Sequence, residues 1–328
     1  MAEYAAGFRV ESASALRTAR HCLIDALGGS FEVLRDPECA ALIGPIVPGA
    51  MMPGGARVPG TSLELDPVQG AFCTGLMLCR AARRGEWLTL RDSRALDTLG
   101  PLLAVADYQG RKALMEGTPP PKVREVLTAW IRTLGIQSAL GPERATFIWF
   151  APVATAAVVT AQLGGSRGQI VTALSHACID GRIPMEPGEE SGDTGRRDWI
   201  RADATSRAVR HACQAMAAGP RDPTSLDLEA VDSAARLLGA GPWSPKKPFG
   251  SAVIDHIAEA RGPREAIEIT MRFQAAVDRH FPARQAERIK ALFAVPGNID
   301  DLPVNELLAA LVTNGKRPPA GPPAGQPS

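Results

Sequence analysis

A chain of 328 residues that is 45% hydrophobic carries enough apolar material for one large domain or two modest ones. Its 36 basic and 35 acidic residues leave a net charge of +1, so it has no broad field to steer nucleic acid or an anionic membrane, though a small anion needs only a local cluster. Aromatic residues, at 5%, are too few for base-stacking platforms.

The six cysteines, Cys22, Cys39, Cys73, Cys79, Cys178 and Cys213, include no CxxC pair. Cys22, Cys73 and Cys178 lie among apolar residues, which predicts buried thiols and no metal site. The N-terminus lacks the basic flank and apolar run of a signal peptide, and no stretch reaches the roughly 18–20 apolar residues of a membrane span. The expectation is a cytoplasmic protein with neither nucleic acid nor membrane as a partner.

In chain order, "VESASALRTARHCLIDALGGSFEVL" opens with a helix. Ser12 or Ser14 can cap it, and Leu16, Cys22, Leu23, Ala26 and Leu27 recur at helical spacing. Gly28 and Gly29 allow a stop or a kink. The Gly/Pro-dense "IGPIVPGAMMPGGARVPGTSLELDPVQGAF" reads as a long loop. Its glycines lack the spacing of a phosphate cradle, and no cofactor is expected. Asp66 then caps a helix with Pro67 at its first position. Further helices are predicted at 96–115, 120–134, 151–163, 167–179 and 202–217, with Thr118 a start signal and Gly135 a stop. Helices in succession with few credible strands predict a mainly α bundle. Beyond it, "AIEITMRF" is a short strand candidate, "PARQAERIKALF" and "VNELLAALV" are amphipathic helices, and the Pro/Gly tail 315–328 has nothing to bury and is read as disordered.

Several segments, in one order, resemble the 2-methylcitrate dehydratases of the MmgE/PrpD family. They are "DALGGSFEVL…CAALIGPIVPGAMMPGGARVPGTSLELDPVQGAF", "VATAAVV", "IVTALSHACIDG", "RRDWIRADATSRAVR" and, near the end, "ERIKALFAVPGNIDDLPVNELLAALV". The resemblance covers about residues 10–215 and 280–312. It implies a large helical domain carrying a dimer interface, a smaller α+β lid, and an active site between them that acts on small tricarboxylic acids without metal. Residues 1–245 plus 280–314 then form the helical domain, and 246–279 are a remnant of a largely missing lid, with "AIEITMRF" as its surviving strand.

The stretch Arg83–Gly100, "RRGEWLTLRDSRALDTLG", is similar to the family's catalytic loop in its frame: Trp87, Leu88, Asp97, Leu99 and Gly100 keep the pattern. The resemblance places the working groups elsewhere in chemical type. Its two Asp positions fall at Ala82 and Gly85, its Thr at Glu86, its catalytic His at Arg94, a second His near Phe147, and its Lys at Arg197. Dehydration of a hydroxy acid needs a base beside a carboxylate and an acid at the leaving oxygen, and His serves both near neutral pH. Arg stays protonated and Phe cannot exchange protons, so the inherited chemistry is expected to be absent or carried by other groups.

Two uses remain open for this region. Glu86, Asp92, Arg94 and Arg197 are candidates for replacement catalytic groups, and Arg83, Arg84, Asp97 and Arg197 for holding a small carboxylate, because guanidinium forks match carboxylates. The alternative is a solvated basic surface balanced by Glu86, Asp92 and Asp198, with Asp97 bonded locally. His176 reads as a satisfied core histidine, and "EPGEESGD" as an acidic loop lacking the order of an EF-hand. The expected partners are a second copy or a full-length relative, joined through the helical domain.

Overall fold

The computed structural model describes residues 1–83, 93–140, 150–180, 194–220, 222–237, 263–295 and 297–313. Their architecture is mainly helical, as the periodicity predicts. Helices α1 (Ala2–Gly7), α2 (Ala13–Val33) and α3 (Pro37–Leu42) lead into a short hairpin, β1 (Ala56–Arg57) and β2 (Glu64–Leu65). Then come α4 (Pro67–Arg83), a 3-10 turn (Ser93–Thr98), α5 (Leu99–Glu116), α6 (Val123–Leu140), α7 (Phe150–Gln162), α8 (Arg167–Asp180) and α9 (Thr194–Ala217). The remainder is α10 (Ser225–Leu237), α11 (Pro263–His280), α12 (Ala283–Phe293), a 3-10 turn (Asn298–Asp301) and α13 (Val304–Ala310).

Local chemistry starts α2 and α4 where the sequence suggests. Ser12 accepts from the Ala15 N–H at 3.1 Å at the head of α2. The Asp66 carboxylate accepts from the N–H groups of Val68 and Gln69 at 3.0 and 3.1 Å at the head of α4. Each bond satisfies a donor that the first helical turn leaves without a partner.

Helix α4 lies at the centre, packed on α2, α5 and α9, while α7 joins α6, α8 and α9. Small residues let these helices approach closely. A Cβ at Gly100 would lie 2.5 Å from the backbone N of Gly75, and one at Gly75 would touch Ala202 of α9 at 3.7 Å. One large cluster fills the interior from α1 to α13, with Trp130 fully buried and its Nε1 donating to the Ala95 carbonyl at 2.8 Å. All six cysteines are free thiols, five of them buried and Cys213 partly so.

Several expectations are corrected by packing. "AIEITMRF" is not a strand: it lies in α11, where Ile269, Phe273, Ala276 and Val277 are buried at helical spacing, with Phe273 against Phe31 of α2. The apolar period of 3.6 outweighs the β-branched content there. This helix shares its core with the rest of the bundle. Gly135 does not stop α6, and Gly28 and Gly29 do not interrupt α2, because both helices are buried where the glycines fall. Thr118 donates to the Ala113 carbonyl at the end of α5, whereas α6 begins at Val123. The predicted helix 96–115 begins as a 3-10 turn, and the helix predicted at 202 starts eight residues sooner, at Thr194.

The long loop contains the hairpin, paired Ala56 to Leu65 and Arg57 to Glu64. Tertiary bonds hold it. Buried Arg57 donates Nη2 to Asp107 Oδ1 at 2.6 Å and to the Asn305 carbonyl at 2.5 Å, tying β1 to α5 and α13. Residues 246–262 of the expected lid remnant and the tail beyond 313 lie outside the described residues.

Candidate functional site

The C-terminal turns of α4, the 3-10 turn and the first half of α9 meet at one end of the bundle. Helical spacing brings Cys79, Arg80 and Arg83 to the end of α4, and Arg197, Asp198 and Arg201 to adjacent turns of α9. Arg201 grips Asp97 with both arms of its fork: Nε donates to Oδ2 at 2.8 Å, and Nη2 lies 2.6 Å from Oδ1. The Cys79 thiol donates to the same carboxylate at 3.3 Å. Arg83 Nε donates to Asp198 Oδ2 at 2.8 Å, with Arg83 38% exposed and Asp198 buried. Arg80 pairs with Asp36 at 3.4 Å.

Burial sets the proton chemistry here. It pushes the Asp198 carboxyl above the usual carboxylate range, against the pull of Arg83, Arg201 and Arg80. It pushes the Cys79 thiol well up, and neighbouring Asp97 pushes it further, so Cys79 is a neutral hydrogen-bond donor rather than a nucleophile. On Arg201 burial works downward, but Asp97, Cys79 and Asp198 outweigh it and hold the guanidinium charged. A carboxylate clasped by a charged fork has its lone pairs occupied and makes a poor base.

Of the predicted site residues, the structure brings Arg83, Asp97 and Arg197 to this end of the molecule. Arg197 is partly buried, one turn before Arg201. Arg94 falls in the 3-10 turn; its side chain, like Arg84, Glu86, Asp92 and Phe147, lies outside the described residues, as does the acidic loop Glu186–Asp193. Asp97 is engaged across the fold by Arg201, a partner that reading along the chain did not supply. A cue was present, in that Asp198 and Arg201 sit three apart on one helix face of "RRDWIRADA". Ala82, where the resemblance puts an Asp, is buried.

A second polar group lies on α8 and α9. Asp180 Oδ2 accepts from Arg207 Nε at 2.7 Å and lies 3.1 Å from His211 Nε2, and the His176 ring stands edge-on to His211 at 5.8 Å. Burial works to raise Asp180, but the bonds from Arg207 and His211 prevail and hold it below the usual range. Among the described residues no group of three His, Cys, Asp or Glu side chains is arranged to hold a metal ion. Among them, too, no helix is long and apolar enough to cross a membrane.

The fold and this buried, charge-paired end define a mainly helical domain. The chain belongs to the MmgE/PrpD family: the model of the MmgE/PrpD N-terminal domain matches residues 1–224. It is 35% identical over 261 residues to a 2-methylcitrate dehydratase of Cupriavidus necator, covering 78% of this chain and 54% of that protein. It is 35% identical over 262 residues to the 2-methylcitrate dehydratase of Escherichia coli K12, with the same coverage. The mitochondrial 2-methylcitrate dehydratase of Yarrowia lipolytica is 34% identical over 265 residues, covering 78% of this chain and 51% of that protein. The chain thus spans about half the length of the curated relatives it matches.

Proposed function

We propose that this chain is a non-dehydrating member of the family, a cytoplasmic helical scaffold that pairs through its helical domain with a second copy or with a full-length relative. The observation that carries this reading is the mutual neutralisation of the charged groups at the end of α4. Asp97 is clasped by Arg201, Asp198 is taken by Arg83, and Ala82 is packed into the core. Proton transfer needs a group free to take and release a proton, and each of these carboxylates is engaged by a guanidinium. Purified protein is expected to give no water elimination from methylcitrate or citrate and no turnover of cis-aconitate. Turnover of any of them overturns the loss of activity.

A second reading, a lyase or isomerase for another small carboxylate, draws support from one placement. Helix α9 sets Arg197 at the same end as Arg83, where the family resemblance puts an active-site Lys. In that reading Arg94 and Arg197 anchor the substrate and Glu86 or Asp92 moves the proton. Arg197→Ala is then expected to weaken citrate binding by at least tenfold in calorimetry, and unchanged affinity removes this reading.

A further inference from the structure

A cavity of about 830 Å³ opens between α5, α6 and the end of α7. It lies at the far end of α5 from the charge-paired site: from Leu99 beside that site to Lys112 in the cavity wall, α5 rises about 20 Å. Its size is that of a small-molecule site, roughly 300–1,000 Å³. We propose that this cavity binds an elongated organic dianion, with an acidic group at each end of an apolar body.

The spacing of charge along α6 sets that shape. Arg124 and Arg132 both line the cavity and stand about 12 Å apart along the helix axis. Val126 and Ala129 lie between them in sequence, both buried and both in the cavity wall, and Val158 of α7 adds to this apolar surface. A compact anion reaches one guanidinium. An apolar body capped by two acids reaches both and covers the surface between them.

Neither guanidinium meets a carboxylate among the described residues. Arg132 Nε donates to the Phe8 carbonyl at 2.8 Å and Nη1 to the Ala5 carbonyl at 3.2 Å, which anchors the side chain on α1. Its Nη2 donates to nothing among the described residues. Burial works against the Arg132 charge and draws its pKa below the usual guanidinium value, a cost that an anion at Nη2 offsets. Arg124 is exposed, and its side chain makes no bond among the described residues.

The other charges in the wall are already engaged. Glu125 accepts from the Lys122 N–H at 3.0 Å, and Glu116 pairs with Lys112 at 3.6 Å. Lys122 Nζ holds Asp301 at 3.1 Å. The uncompensated charge therefore sits on the two arginines, one toward each end of the apolar surface.

The test is calorimetry on the whole chain. Sebacate, a saturated chain with a carboxylate at each end, is expected to bind at least tenfold more tightly than decanoate, succinate or inorganic phosphate. Arg124→Gln and Arg132→Gln are each expected to weaken sebacate at least fivefold with unchanged helical circular dichroism. Arg124→Gln removes no bond within the described fold, so it reads the site even where Arg132→Gln disturbs α1. Arg197→Ala, at the other end of the bundle, is expected to leave sebacate binding unchanged. Octane-1,8-bisphosphonate is titrated beside sebacate: binding of either supports the site, and the tighter of the two identifies the head group. Binding of neither, equal affinity for decanoate, or an affinity that Arg124→Gln leaves untouched overturns the proposal.

Discussion

Arg201 and Asp97 show how much one buried pair can depend on its partner. Asp97 is 4% exposed and receives both arms of the Arg201 fork as well as the Cys79 thiol. Arg201→Ala strands a carboxylate in the core, and urea unfolding is expected to show a loss of about 3–5 kcal/mol. The double variant Asp97→Leu/Arg201→Met removes both charges and is expected to recover a substantial part of that loss. A different residue governs the mild-acid limb. His280 Nε2 lies 2.8 Å from the Gly60 carbonyl, its ring stacks on Phe31, and burial holds its pKa below the usual 6.5. The unfolded chain therefore takes up the proton first. Stability from this group is complete above the unfolded value and is lost as pH falls from there toward the folded one. Thermal unfolding is expected to move to lower temperature as pH drops below 6.5, and His280→Gln to flatten that dependence. Glu64 and Asp180 are held below the usual carboxylate range, so their losses enter only at more acidic pH.

At the scale of elements, caps and crossings control the bundle. Asp66→Ala removes both cap bonds of α4 and is expected to cost about 1 kcal/mol in thermal melts. Gly100→Ala is expected to cost about 1–3 kcal/mol, because the added methyl meets backbone atoms of Gly75 that cannot swing aside. The caps were legible in the sequence, since Ser12 and Asp66 act on N–H groups two or three residues away. The interiors of α2 and α6 were less so. Gly28, Gly29 and Gly135 weaken a helix locally, but the burial of these helices outweighs that preference. The segment in α11 misled for the same reason: its β-branched residues favour a strand, while its contact with α2 rewards a helix.

For the molecule as a whole, the order of apolar faces already specified a helical bundle, and the family resemblance followed from segments spread along the whole of it. The resemblance placed the family frame at Asp97, Leu99 and Gly100 and implied substitutions at Ala82, Arg94 and Arg197. Only the tertiary structure decided what the charged groups do. Asp97 and Arg201 are 104 positions apart, and Arg57 and Asn305 are 248 apart. Helix periods and caps act over a few residues, so a single sequence displays them directly. An ion pair depends on which helix ends converge and how far water is excluded there, and packing across the whole chain determines both.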